Sequence, residues 1–101
     1  MYGTIARIRV KPGMEPRLLE NAREEESERV PGYITQFIYK MDKSPDSYML
    51  VVIFRDRESY FAAADDPKQT EKYYQIVQFL ESEPEWNDGE IIFAGSGTSI
   101  Q

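Results

Sequence analysis

The segment Tyr48–Arg55 constrains the fold of this chain more than any other segment. Its residues are mostly β-branched or aromatic, which favours an extended strand. Side chains alternate across a strand, which places Tyr48, Leu50, Val52 and Phe54 on one face and Met49, Val51 and Ile53 on the other. Because both faces are apolar, both must be covered in the folded protein.

The other elements follow from periodicity and turn signals. Tyr33–Met41 is a second β-type run, and the turn-forming residues 42–47 between the two runs predict a hairpin. Gly3–Val10 alternates apolar and polar residues and predicts a first strand. The remaining predicted elements are helices over Met14–Arg29, Arg57–Ala64 and Pro67–Glu81, a last strand over Glu90–Gly95, and a frayed polar tail over Ser96–Gln101.

This element order predicts a single α+β domain over residues 1–101. Right-handed crossovers give a ferredoxin-like βαββαβ arrangement, a four-stranded antiparallel sheet with the helices on one face. The uncovered face then exposes roughly 400 Å² in projection, which is large for a soluble monomer. We therefore expect a homodimer with the two sheets packed face to face. The alternative is a face that is only partly apolar, because Arg7, Arg9, Gln36 and Lys40 interrupt one side or the other.

Composition excludes several classes of function. The chain has 12 Lys and Arg against 18 Asp and Glu, a net charge of −6. This acidic balance without a basic stripe argues against nucleic-acid partners and anionic membranes. We see neither a basic leader nor an apolar span of about 20 residues, and we expect a soluble, cytoplasmic protein.

The chain has no Cys and no His. Without Cys, the chain lacks thiolate chemistry. Without His, it lacks the most common general base near neutral pH and the most common ligand of transition metals. The acidic runs Glu24–Glu26 and Asp65–Asp66 are interpreted as solvated surface rather than as a cation site. We expect no metal and no cofactor, so any chemistry must come from Arg, Lys, Tyr, Trp, Asn, carboxylates or the backbone.

Five short motifs make the chain similar to a known family, and they span most of its length. They are Met1–Arg7, Val10–Gly13, Val30–Tyr33, Phe54–Tyr60 and Trp86–Glu90. In these segments the chain resembles the antibiotic biosynthesis monooxygenase-like domains of the dimeric α/β-barrel superfamily. The resemblance implies a dimer, with a ligand cleft between the helices and the sheet of each subunit.

The resemblance leaves the activity open. It implies either a cofactor-independent monooxygenase that acts on an aromatic or polyketide-like substrate, or a non-catalytic dimeric binding or regulatory domain, or a small-acid isomerase or lyase. The haem-degrading branch would require His at position 73, Trp at position 63 and Asn near position 7, where this chain has Tyr73, Ala63 and Arg7. The polyketide-oxidising branch uses a set of Asn, Trp, Tyr and Arg that we do not place on this sequence.

Two groups of residues are candidates for the site. Arg7 and Arg9 share a strand face, where a guanidinium suits a phenolate or carboxylate; the alternative is that they line the dimer interface or pair with carboxylates. Tyr73 is a further catalytic candidate. The predicted walls of a pocket for a planar molecule are aromatic, namely Tyr60, Phe61, Tyr73, Tyr74 and Trp86. Helical spacing of aromatic residues also fits a packed core.

Overall fold

The computed structural model describes residues 1–26 and 28–97. The elements in chain order are β1 (Tyr2–Arg9), α1 (Glu15–Glu26), β2 (Tyr33–Lys40), β3 (Ser47–Phe54), α2 (Arg57–Ala64), α3 (Pro67–Val77) and β4 (Asp88–Glu90). Ser27, within the predicted helix Met14–Arg29, and residues 98–101 of the predicted tail lie outside the described part. None of the helices in that part is long and apolar enough to cross a lipid bilayer.

The four strands form one antiparallel sheet in the order β2-β3-β1-β4. The alternation along β1 separates two faces, with Thr4, Ala6 and Ile8 buried under the helices and Ile5 and Arg7 exposed on the other side. This is the predicted ferredoxin-like α+β fold, and that prediction is confirmed.

The last strand differs from the prediction of Glu90–Gly95. The chain joins the edge of β1 earlier, because Glu85 pairs with Arg7, and Asn87 O accepts a hydrogen bond of 3.0 Å from Ile5 N. The pairing continues through Asp88–Glu90, opposite Tyr2–Thr4. Ile91 N–H donates to Met1 O, which lies before the start of β1 at Tyr2. The apolar residues that follow Ile91 therefore lie beyond β1, and residues 91–97 form no strand in the described part of the chain.

The third helix also ends before its predicted limit at Glu81. The helix ends at Val77 because the backbone after it turns back toward the sheet. There, Phe79 O accepts a hydrogen bond from Lys11 N, and Leu80 pairs with Val10 in antiparallel orientation. Its first turn is capped as predicted, with the Asp66 carboxylate accepting from Lys68 N at 2.9 Å and Pro67 at the first helical position.

The hydrophobic core lies at one end of the sheet. Its buried members are Ile8, Val10, Leu18, Tyr48 and Leu80. Leu18 brings α1 against this end of β1 and β3, and Glu15 at the start of α1 accepts a hydrogen bond from the Tyr48 hydroxyl and lies 2.9 Å from Lys40 Nζ. Packing at this end leaves the other end of the helix-covered face, near the start of β1 and the end of β3, free to form a cavity.

Candidate functional site

A cavity of about 520 Å³ lies between the sheet and the helices. This volume suits a small organic molecule. The wall is formed by residues of every strand and every helix, which are Thr4, Glu25, Val30, Tyr33, Gln36, Leu50, Val52, Phe54, Tyr60, Phe61, Ala63, Ala64, Gln69, Thr70, Lys72, Tyr73, Ile76, Trp86 and Asp88. The place of the cavity is the one that the family resemblance implies.

One row of cross-strand partners forms the floor of the cavity. Thr4 on β1 pairs with Asp88 on β4 and with Val52 on β3, and Val52 pairs in turn with Gln36 on β2. Directly paired residues share a face of the sheet, and all four line the cavity. The row crosses three strand spacings, roughly 14 Å in all. The floor is therefore polar at Gln36, Thr4 and Asp88 and apolar at Val52.

Aromatic rings form much of the wall. The Tyr60 ring lies between Phe54 and Phe61, with centroid distances of 5.6 Å and 5.1 Å and edge-on geometry in both cases. Across the cavity wall, the Tyr73 ring on α3 meets Trp86 at 6.0 Å. Such rings offer flat apolar surface together with a few polar tips.

A polar group built around Tyr60 occupies the β4 edge of the cavity. The Tyr60 hydroxyl donates a 2.8 Å hydrogen bond to Asp88 Oδ1. Burial raises the pKa of Tyr60, and the bond to Asp88 adds to this effect, whereas the nearby Thr4 side chain lowers the pKa. Thr4 is only 3% exposed, and its Oγ1 meets no hydrogen-bond partner within the described residues. This edge thus holds an oriented carboxylate beside a hydroxyl with unused hydrogen-bonding capacity.

The opposite edge of the cavity is acidic. The Tyr33 hydroxyl and Gln36 Nε2 both donate to Glu26, the latter at 3.0 Å, and these bonds lower the pKa of Glu26. The Glu25 carboxyl lines the cavity, and its burial raises its pKa. Lys72 Nζ also lies here and donates to Glu28.

The structure brings together four of the five aromatic residues predicted for the pocket. Tyr60, Phe61, Tyr73 and Trp86 all line the cavity. The fifth, Tyr74, does not; its side chain is 65% exposed, because it follows Tyr73 on α3 and points away from the sheet. Tyr73 is the one predicted catalytic candidate that lines the cavity.

The structure places Arg7 and Arg9 on the opposite face of the sheet from the cavity. Arg9 donates to Asp46 at 2.7 Å and lies 3.9 Å from Glu81. Both arginines line a separate polar groove with Ser44, Asp46, Ser47, Ser82, Glu83 and Glu85. For Arg9 the geometry follows the alternative interpretation, in which the arginine pairs with carboxylates. Among the described lining residues of the cavity, only Lys72 carries a positive charge.

Sequence reasoning missed several polar residues of the cavity, above all Thr4, Asp88 and Glu25. Thr4 shares one face of β1 with the buried residues Ala6 and Ile8, so the sequence pattern does not distinguish it from a core residue. Asp88 belongs to the loop motif Trp86–Glu90, and that motif was the one available signal. No group of three or more carboxylates in the described part of the chain is arranged to hold a metal ion.

The chain belongs to the antibiotic biosynthesis monooxygenase family, whose sequence profile matches residues 1–73. No curated protein sequence matches the chain.

Solved structures agree on the fold. A protein from Bordetella bronchiseptica that carries the family's name superimposes with a TM-score of 0.76 and 17% identity, over 91% of this chain and 97% of that one. One from Chloroflexus aurantiacus gives a TM-score of 0.73 and 21% identity, over 97% and 98% of the two chains. SnoaB from Streptomyces nogalater, described as a cofactor-independent oxygenase, gives 0.78 and 12%, over 92% and 94%.

Proposed function

We propose that this chain binds a planar aromatic molecule in the cavity and oxidises it directly with dioxygen. The observation that carries the proposal is an aromatic-walled cavity of about 520 Å³ with the hydrogen-bonded pair Tyr60–Asp88 at one edge. Membership of the family supports the choice of chemistry, and the cofactor-independent oxygenase SnoaB has the same fold.

The reaction that we propose begins with a fused-ring ketone that carries an activated methylene. The Asp88 carboxylate takes a proton from the methylene, and the carbanion reduces dioxygen and forms a carbon–oxygen bond with it. The peroxide anion takes back the proton from Asp88, and the resulting hydroperoxide loses water and leaves a carbonyl group, so that one dioxygen is consumed and one water released. Tyr60 holds Asp88 in place, as a base must be held within hydrogen-bonding reach of the proton it removes.

Tyr73 has a different role in this proposal. Burial raises the pKa of its hydroxyl, and the charge of Glu83 adds to this effect. The hydroxyl therefore stays protonated at neutral pH and serves as a donor to the oxygen on which negative charge develops. A donor that is held in position before the reaction stabilises such an anion more than water does.

The experiment is oxygen uptake with anthrone, measured with an oxygen electrode and with anthraquinone formation followed in parallel. We expect uptake above the buffer rate, with one dioxygen consumed per anthraquinone formed. Asp88→Asn should lower the rate about 10²–10⁴-fold, the usual contribution of a general base. Tyr73→Phe should also lower it, whereas Tyr74→Phe, a change on the adjacent exposed residue, should not.

The alternative from another class is a binding domain without chemistry. Anthrone that binds in calorimetry without any protein-dependent uptake of oxygen would favour this alternative and contradict the oxygenase proposal. The small-acid isomerase or lyase has less support, because the arginines that would hold a carboxylate lie on the other face of the sheet.

We also propose that the protein is a homodimer in which the open faces of two sheets pack together. The open face carries large apolar side chains, with Phe37 56% and Tyr39 62% exposed. They adjoin the outward-facing residues of β3, since Phe37 pairs with Val51 and Tyr39 with Met49. Beyond β4, Phe93 is also a large exposed apolar residue, 84% accessible. The cytoplasmic location stays a prediction.

A further inference from the structure

The hydrogen-bonding groups of the cavity are unevenly used. Four of its lining side chains donate to carboxylates of the protein. These bonds are Tyr60 to Asp88, Tyr33 to Glu26, Gln36 to Glu26 and Lys72 to Glu28. These four hydrogen-bond donors of the cavity are therefore already occupied by carboxylates of the protein.

Acceptors remain after this pairing. Asp88 binds Tyr60 through Oδ1, and Oδ2 makes no hydrogen bond within the described residues. The Glu25 carboxyl likewise accepts no hydrogen bond there, although it lies in the field of Lys72. A carboxylate has about four lone-pair positions, so both groups retain unused capacity to accept. The buried hydroxyl of Thr4, which either donates or accepts, adjoins Asp88 in the floor row.

The charges that line the cavity also disfavour an anionic ligand. Two carboxylates and one ammonium line the cavity, and that ammonium is already paired with Glu28. An anionic ligand would meet Glu25 and Asp88 in a partly desolvated space, where repulsion between like charges is stronger than in water.

We infer that Asp88 determines the order of preference among aromatic ligands that differ in one substituent, so that the cavity binds an ammonium before a neutral hydroxyl and both before the matching carboxylate. The inference deepens the proposed function and rests on it, because it concerns the same cavity. Asp88 is preferred to Glu25 as the contact because Tyr60 orients its carboxylate and the unpartnered Thr4 hydroxyl lies beside it. A hydrogen bond between ammonium and carboxylate is also stronger than one between neutral groups.

The test compares three probes that differ in one substituent at the same ring carbon, naphthylmethylamine, naphthylmethanol and naphthoate. Their affinities are measured by isothermal titration calorimetry at neutral pH. We expect the amine to bind about tenfold or more tightly than the alcohol, and the naphthoate to bind most weakly. Asp88→Asn should remove the advantage of the amine. The matched control is Glu90→Gln, which removes the same charge from an exposed residue on the same strand and should keep that advantage.

The outcomes separate this inference from the proposed function. If none of the probes binds, the aromatic cavity itself is not a ligand site, and both proposals fail. If all three bind with similar affinity, or naphthoate binds most tightly, the specificity inference is overturned while aromatic binding stands. If Glu25→Gln rather than Asp88→Asn removes the advantage of the amine, the assignment to Asp88 is overturned. The probe series on the unmodified protein remains decisive even if a variant fails to fold.

Discussion

At the scale of single residues, Tyr60 connects two parts of the chain that are distant in sequence. Its hydroxyl on α2 binds Asp88 on β4, and its ring packs against Tyr2, Phe54 and Phe61. Tyr60→Phe keeps the ring and removes only the hydrogen bond. We expect a loss of about 0.5–1.5 kcal/mol in the free energy of unfolding, measured by urea denaturation. Tyr74→Phe is the control and should have almost no effect; equal losses in the two variants would contradict a stabilising Tyr60–Asp88 bond.

The residues of the site differ in how far sequence could predict them. Aromatic side chains such as Tyr60 and Trp86 were predicted from residue type and position, because a pocket for a planar molecule requires flat apolar surface. Asp88 became part of the site only through strand register, which sets it beside Thr4. Register depends on pairing between segments far apart in the chain, and a one-residue shift would move the side chain to the other face. Arg7 illustrates a related limit. The sequence correctly predicts that Arg7 and Arg9 share one face of the strand, but it does not show that the cavity lies on the opposite face.

At the scale of elements, the start of α2 depends on a charged cap. The Asp56 carboxylate accepts from Ser59 N at 2.8 Å, and this bond, with further bonds from the Ser59 and Arg55 side chains, lowers the pKa of Asp56 from 3.8 to about 2. A carboxyl whose pKa is lower in the folded state stabilises the fold above its unfolded pKa, and this contribution is lost as pH falls through the folded pKa.

Asp56→Ala should therefore lower the melting temperature by about 4–8 °C at neutral pH, as expected for the loss of a helix cap in a domain of this size. The difference from the unmodified protein should stay constant down to about pH 4 and narrow between pH 4 and pH 2, where the carboxylate takes up a proton. Calorimetric scans of both proteins across this pH range measure the difference in melting temperature. A difference that is independent of pH would show that the charge of Asp56 does not contribute to capping.

Element boundaries were less predictable than element types. The hairpin and the order of strands and helices followed from local periodicity and turn residues. The bounds of α3 and β4 did not, because residues 79–90 pair along the edge of β1. That pairing satisfies backbone groups irrespective of side-chain pattern. The run of apolar residues after Glu90 predicted a strand, yet these residues lie beyond the start of β1, the strand with which they would pair.

At the scale of the whole molecule, the two faces of the sheet have separate functions in our proposals. The helix-covered face holds the cavity, and the open face is the one that we propose as the dimer interface. Ile5, Val51 and Phe37 form one row across this open face, on β1, β3 and β2. A patch of this kind is typical of an interface rather than of solvent-exposed surface. The sheet thus allows the interface to be altered without a change in any residue of the cavity.

Phe37→Glu tests the dimer with little risk to the fold, because Phe37 is already 56% exposed in the single chain. Face-to-face packing would bury one unpaired carboxylate from each copy, which is strongly unfavourable. We expect the unmodified protein to sediment as a dimer and Phe37→Glu as a monomer with unchanged circular dichroism. Tyr74→Glu introduces the same charge on the helical side and should remain dimeric. Sedimentation velocity over a concentration series distinguishes these cases. An unmodified protein that stays monomeric throughout, or a Phe37→Glu variant that dimerises equally well, would contradict the proposed interface.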